Sequence, residues 1–191
     1  MLSRERRLFF LRWLRNPKQV GVPVPSSRFL ANAMASQASR LSPDEYVVEL
    51  GPGTGVITRA LCDSNIDPRR LIVIERDHKF VDQLRRDFPE TIVLQGDARD
   101  IKHLLARHNI EKIGAVFCCL PLLAMPDELR FSIVNSAFEV IKPDGAFVLY
   151  TYGLFSPVSS HNQKNIGIKG RVAKRVWINF PPARVWRYEP V

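Results

Sequence analysis

Val47-Val48-Glu49-Leu50-Gly51-Pro52-Gly53-Thr54-Gly55 joins a short apolar strand to three glycines at alternate positions, and Val56 to Leu61 continues as a helix-like run. Glycine lacks a Cβ, so such a turn lets backbone amides close on a ligand at a helix N-terminus. Downstream, Leu71-Ile72-Val73-Ile74 ends in Glu75, and Thr91-Ile92-Val93-Leu94 runs into Gln95-Gly96-Asp97-Ala98. An acid at the end of the second strand is placed to hold ribose hydroxyls. The glycines alone also suit a simple tight loop, and the dinucleotide spacing Gly-x-Gly-x-x-Gly is not what stands here.

The combination says more than the turn. Glu49 in the first strand, the glycines, Glu75 and Gly96-Asp97-Ala98 together resemble the S-adenosylmethionine-dependent methyltransferases with a Rossmann-like fold. That resemblance implies S-adenosylmethionine as donor and S-adenosylhomocysteine as product. It assigns Glu75 to the ribose, Asp97 to the adenine amino group, and the glycine turn to the methionine end.

Alternating apolar periodicities extend the pattern. They predict helices near 3–15, 26–40, 56–63, 77–87, 98–108 and 127–141, and strands near 46–50, 71–75, 91–95, 113–119 and 145–152. Beyond Tyr152 a polar loop, Ser156 to Asn165, leads to two strand-like runs, Arg171 to Phe180 and Val185 to Tyr188, separated by Pro181-Pro182. Proline fits such a connection and not a central strand. The expected fold is α/β: a Rossmann-like class I methyltransferase whose mostly parallel twisted sheet gains an antiparallel C-terminal hairpin, with helices at the N-terminus. Residues 1–40 form the expected lid or membrane-contacting segment, and 41–191 the methyltransferase domain.

A chain of 191 residues, 46% hydrophobic, can bury a core without cross-links. Cys62, Cys118 and Cys119, two of them adjacent in an apolar run, suit reduced buried thiols of the cytosol. His78, His103, His108 and His161 are scattered away from the cysteines, so no metal site is expected. No apolar run reaches the 18 or so residues of a spanning helix, and no cleavable leader pattern stands at the N-terminus. A soluble or peripheral protein is expected.

The net charge of +9 is unevenly placed. Arg4, Arg6, Arg7, Arg12, Arg15 and Lys18 face Glu5 alone near the N-terminus. At the other end Lys164, Lys169, Arg171, Lys174, Arg175, Arg184 and Arg187 face Glu189. On a helical projection Leu2, Phe9, Phe10, Trp13 and Leu14 share an arc of roughly 140°, with most of the arginines opposite. Such a helix can lie in a membrane interface, aromatics in the acyl boundary and arginines at phosphates. It can also dock on its own domain, and basic clusters serve nucleic acid as well.

The exit of the fourth strand, Cys118-Cys119-Leu120-Pro121-Leu122-Leu123-Ala124-Met125-Pro126, discriminates among acceptors. A methylase of nucleobase amines offers an amide or acid and an aromatic ring there. Here neither is present, which disfavours nucleic acid, and the apolar entrance suits an amine on a lipid.

Further stretches sharpen the likeness. Arg15-Asn16-Pro17, Pro25-Ser26-Ser27-Arg28, Leu120-Pro121-Leu122-Leu123-Ala124-Met125-Pro126, Thr151-Tyr152-Gly153 with Ser156-Pro157-Val158, and Asn179-Phe180-Pro181-Pro182-Ala183-Arg184-Val185-Trp186 resemble the bacterial phospholipid N-methyltransferases. That likeness implies methylation of phosphatidylethanolamine toward phosphatidylcholine, at an anionic membrane surface on the inner face of the cell membrane. Cys118-Cys119 departs from the small residues expected there. The donor-binding candidates are Glu49, Gly51, Gly53, Gly55, Glu75, Asp97, Ala98 and Cys118. Leu120, Pro121, Tyr150 and Tyr152 are candidates for the reacting end, the tyrosines through cation–π attraction to an ammonium or as structural aromatics. Arg28, Lys169, Arg171 and Arg184 are candidates for lipid phosphate, with Arg184 alternatively bracing the hairpin and Arg28 the first-helix junction. His161, in the expected loop, is the one candidate base.

Overall fold

The computed structural model of the chain describes residues 26–38, 41–178 and 181–191. The helix expected over 3–15, with its aromatic and arginine faces, lies outside the described residues. So do Arg15-Asn16-Pro17 and Asn179-Phe180.

Seven strands form one sheet: β1 (Tyr46–Leu50), β2 (Leu71–Glu75), β3 (Ile92–Gln95), β4 (Ile113–Cys118), β5 (Ile141–Thr151), β6 (Ile168–Val176) and β7 (Ala183–Pro190). Their order is β3-β2-β1-β4-β5-β7-β6. The first five run parallel, and β7 enters antiparallel between β5 and β6. Helices α1 (Ser26–Ala35), α2 (Val56–Cys62) and α3 (His78–Asp87) cover one face, and α4 (Ile101–Ala106), α5 (Asp127–Phe138) and α6 (Ser160–Ile166) the other. Both faces being covered explains why β2 and β4 read as near-continuous apolar runs, and why β1 does so apart from Glu49. Val47, Val73, Phe117 and Val148 pack under the first layer with Leu30, Met34, Leu61 and Leu84. Val48, Leu50, Ile72, Val116 and Phe147 pack under the second with Ile101, Ile133 and Val134. Because the strand order reverses between β1 and β4, a crevice opens at their carboxyl ends, where ligands bind in such sheets.

The expected architecture and its antiparallel hairpin are observed, and the differences are local. The polar stretch expected as a loop contains α6. Ser159 caps it by accepting from the Asn162 amide, and Gly167 ends it at φ 77°. Capping carries this short helix, in which no residue is fully buried and no apolar stripe exists to be read. Strand β5 starts at Ile141, not near 145, because the residues after it bulge out. Ile113 pairs with Ile141, yet Ala115 pairs with Ala146. Pro143 and Gly145 sit within this irregularity, where proline loses no ladder bond. The helix expected over 98–108 opens as a 3-10 turn, Ala98–Asp100, before α4.

Candidate active site

The glycine turn rests on three left-handed conformations, with φ of 67° at Gly51, 57° at Gly53 and 78° at Gly55. The positions differ in what surrounds them. A Cβ on Gly51 would lie 2.3 Å from the Leu120 side chain, and one on Gly55 2.6 Å from the Phe88 ring. Gly51 therefore lets β1 approach the β4 exit, and Gly55 lets α2 close on α3. Around Gly53 a Cβ would meet nothing within 4 Å. That open space leaves the turn free to be approached by a ligand at this one glycine.

Glu75, at the end of β2, is fixed by backbone. Its Oε2 accepts from the Gly53 amide at 3.2 Å, and its Oε1 from the amides of Arg76 at 2.7 Å and Asp77 at 3.0 Å. A carboxylate has about four acceptor positions, so capacity for ribose hydroxyls remains. The Gly51 amide donates to the Ile74 carbonyl, the Gly96 amide to that of Glu75 and the Cys119 amide to that of Leu50. These bonds hold the four strand exits side by side.

Between them lies a cavity of about 230 Å³. Gly51, Glu75, Gly96, Asp97 and Ala98 form its polar side, and Leu120, Met125, Leu129 and Ile133 its apolar side. A polar edge for ribose and an apolar slot for a purine fit adenosine. Asp97 accepts from the Arg99 amide and guanidinium at 2.9 to 3.0 Å, which holds its carboxyl below the usual carboxylate range. Arg99 and Arg76, which also line the cavity, were not anticipated from the sequence, since nothing in their spacing distinguishes them from solvated arginines.

Glu49 lies on the α2 side of β1 and is wholly buried. Its Oε2 accepts from Thr58 Oγ at 2.7 Å and its Oε1 from Cys119 Sγ at 3.3 Å. Burial pushes its carboxyl up to about 7, against the hydrogen bonds from Thr58 and Cys119. A carboxyl so poised gains from an incoming positive charge, which the sulfonium and ammonium of the donor supply. Of the cysteine pair, Cys118 was the expected donor contact, but it is buried in β4 against the α5 side, and burial pushes its thiol up to about 12. Cys119 is the one that meets Glu49. Strand alternation turns adjacent residues to opposite faces, and Cys119 shares the face of Glu49.

On the far side of Leu120 a small cleft is lined by Leu120, Pro121, Leu122, Leu123, Tyr150, Thr151, Tyr152 and Pro157. Tyr150 and Tyr152 turn to one face, as alternation requires, with ring centroids 5.8 Å apart at 78°. Burial raises the Tyr150 phenol well above its ordinary range, so it stays neutral. Arg184 Nη1 donates to the Gly153 carbonyl at 2.9 Å, which ties β7 to the loop after β5. Ala35, Ser36 and Ala38 share a cavity with Ala60, Asp63 and Ser64, so α1 ends beside the end of α2. Arg28 stands exposed at the start of α1 and lines neither the donor cavity nor the cleft at Tyr150 and Tyr152. Lys169 and Arg171 are not brought to the site. They pair in register with Glu189 and Arg187, at the opposite end of the hairpin from the Val176–Ala183 pair. His161 stands exposed on α6 beside Asn165 and lines neither cavity. Among the described residues no His, Cys, Asp and Glu cluster suits a metal, and no helix is long and apolar enough to cross a membrane.

Comparison with known proteins agrees with this geometry. A family profile for ribosomal RNA adenine dimethylase matches residues 26–108, the donor half. An ornithine lipid N-methyltransferase of Singulisphaera acidiphila is 33% identical over 146 residues, covering 73% of this chain and 74% of its own. A ribosomal RNA small subunit methyltransferase A of Chlorobium phaeobacteroides is 30% identical over 101 residues, but these are 52% of this chain and only 36% of that protein. In fold, the magnesium protoporphyrin IX methyltransferase of Synechocystis, solved with bound S-adenosylmethionine, superposes with a TM-score of 0.66 over 100% of both chains at 10% identity. A methyltransferase of Corynebacterium glutamicum gives 0.63 over 99% of this chain and 100% of its own at 14% identity. The chain belongs to the S-adenosylmethionine-dependent methyltransferases, in the family that includes the ornithine lipid N-methyltransferase.

Proposed function

We propose that this methyltransferase acts on the amine of a membrane-lipid headgroup, phosphatidylethanolamine and its methylated derivatives, toward phosphatidylcholine. The observation that carries this reading is the acceptor cleft, whose wall beyond the donor cavity is Leu120, Pro121, Leu123, Tyr150, Tyr152 and Pro157. The similarity to a protein named for ornithine lipid methylation supports a lipid amine as the acceptor class.

When bound, the donor supplies an electrophilic methyl on a sulfonium. Glu75 and the glycine turn hold its ribose and methionine end, Asp97 and Ala98 border its adenine, and Glu49 balances its positive charge. The chain's work at the acceptor is alignment and exclusion of water, because an in-line displacement gains most from positioning. The attacking amine must be neutral. Its deprotonation near neutral pH costs on the order of 4 kcal/mol, and an apolar cleft lowers this by disfavouring the cation. The Tyr150 and Tyr152 rings face the ammonium that forms, an attraction of about 0.5 to 2 kcal/mol. Arg184, tied to the loop after β5, serves the lipid phosphate, with Arg28 as a second candidate cation. Catalysis takes place peripherally, at an anionic bilayer on the cytoplasmic side, with the basic, aromatic segment before Arg28 as an attachment.

A second reading, methylation of adenine in RNA, is favoured by the family profile over the donor half. The β4 exit argues against it, since Leu120 and Pro121 present no hydrogen-bond acceptor side chain for a base amine. The test is incubation of the full chain with radiolabelled S-adenosylmethionine and separate pools of phosphatidylethanolamine, ornithine lipid, RNA and protein. Label in phosphatidylethanolamine is expected. Label in ornithine lipid alone would move the assignment within the lipid class, and label in RNA alone would refute it.

A further inference from the structure

Four large apolar side chains stand in solvent at one end of the sheet. Leu154 and Phe155, in the loop after β5, are 68% and 82% exposed, and Trp177 and Ile178, in the turn after β6, 68% and 71%. Single exposed hydrophobes are ordinary, but a group of them marks an interaction surface. Register shows that these belong together. Thr151 pairs with Arg184 and Val176 with Ala183, so both tips leave the sheet at its site end. They are separated by two strand spacings, roughly 10 Å. The Arg184 bond to the Gly153 carbonyl fastens one tip to the strand that carries the other.

We infer that these two tips form a bilayer-docking surface, with Phe155, Leu154, Trp177 and Ile178 entering the acyl boundary and Lys174 and Arg175 meeting anionic headgroups. This goes beyond the lipid-acceptor reading and rests on it for its purpose. Two observations select a bilayer as the occupant. Lys174 and Arg175 are exposed on β6 immediately before the Trp177–Ile178 turn, giving the basic rim beside an apolar tip that anionic interfaces attract. The tip is also continuous with the acceptor cleft. A Cβ on Gly153 would lie 3.1 Å from Leu123, so the loop carrying Leu154 and Phe155 rests against a residue of the cleft wall. Insertion of the tips brings the cleft mouth to headgroup level.

The experiment uses the full chain and vesicles of equal parts phosphatidylglycerol and phosphatidylcholine. Replacing Leu154, Phe155, Trp177 and Ile178 together by Ser should weaken vesicle partitioning by about tenfold or more. S-adenosylmethionine affinity, and methylation of a monomeric short-chain phosphatidylethanolamine, should stay within about twofold. L154S/F155S alone should give a smaller loss in the same direction. In a W13F/W186F background, Trp177 emission should shift to the blue on adding vesicles, a readout independent of any tip variant. Unchanged partitioning of the fourfold variant, or no shift of Trp177, overturns the inference. So does a dimer of the parent chain that the fourfold variant dissociates, because the tips then serve a second copy. Tip-dependent partitioning without methylation of any lipid would leave this surface standing while the lipid-acceptor reading fails.

Discussion

The cavity at the β1 to β3 exits and the cleft beyond Leu120, the proposed donor and acceptor sides, are built from different materials. From β1 to β3 the cavity is made by short local motifs: glycines at positive φ and strand-end carboxylates that backbone amides hold in place. From β4 to β7 it is made by side chains drawn from distant segments, Leu120 and Leu123 after β4, Tyr150 and Tyr152 at the end of β5, and Arg184 at the start of β7. Backbone geometry recognises what every donor molecule shares, so it can be written in one short motif. Side-chain lining varies with the acceptor and is assembled only by the fold. The comparisons divide in the same way: the RNA-methylase profile ends at residue 108, whereas the lipid-methylase similarity spans 73% of the chain.

The sharpest break of this contrast is at Gly53. Valine there would be a β-branched residue at φ 57°, in the space reserved for ligand. The side chain excludes the ligand, so donor affinity by calorimetry should fall by about a hundredfold or more, while backbone strain of about 1 to 3 kcal/mol lowers the stability of the fold. Glu75→Ala, which removes a charged acceptor, should cost about 1.5 to 3 kcal/mol of donor binding. Retained affinity in both folded variants would mean that the donor is not held by this turn.

Glu49 tests whether the donor half is electrostatically tuned. Its carboxyl titrates near 4.5 when exposed in the unfolded chain and at about 7 in the fold. The folded protein therefore holds the proton more tightly, and stability is lost as pH rises from about 4.5 to 7. Glu49→Gln cannot ionise and escapes that loss. In urea unfolding the variant should gain on the parent as pH rises through this window, by on the order of 3 kcal/mol at pH 8, with the difference closing in acid. Donor binding should also release a proton near pH 7 in the parent only, read by calorimetry in buffers of different ionisation enthalpy.

Asp97 probes the rim. One hydrogen bond to a neutral amine is worth about 0.5 to 1.5 kcal/mol, so Asp97→Ala should weaken donor binding by roughly two- to tenfold. The bidentate hold of Arg99 on Asp97 makes a second comparison informative. If Arg99 merely parks the carboxylate, Arg99→Ala should leave affinity unchanged or raise it. A loss equal to that of Asp97→Ala would assign donor contact to the pair.

How much of this was legible in the sequence follows the same divide. Strand limits of β1 and β2, the glycine turn and Glu75 were readable because each depends on local chemistry, an apolar run, a missing Cβ, an acid at a strand end. The capped helix α6 escaped because its signals are two residues, Ser159 and Gly167, around a stretch with no apolar stripe. Cys118 and Cys119 could not be told apart by composition, because both end one apolar run and only strand parity puts Cys119 on the face of Glu49. The partners of Arg184, and the opposite placement of Lys169 and Arg171, depend on pairing across the hairpin, which composition does not encode.

Those last two residues give the smallest expected effect and the cleanest check on placement. Arg171 lies 3.6 Å from Glu189 and is half exposed, a surface pair of about 0 to 1 kcal/mol, and Glu189 keeps Arg187 at 2.6 Å when Arg171 is gone. Lys169→Gln with Arg171→Gln should therefore leave lipid methylation within about twofold in KM and kcat, the size of a neutral surface change. Arg184→Gln should raise KM for the lipid several-fold, because it removes both a cation at the site end and the bond that holds Gly153. If the double variant loses lipid KM as strongly as Arg184→Gln while donor affinity is intact, phosphate is recognised at the far end of the hairpin. The acceptor would then have to lie along β6, not at the β4 exit.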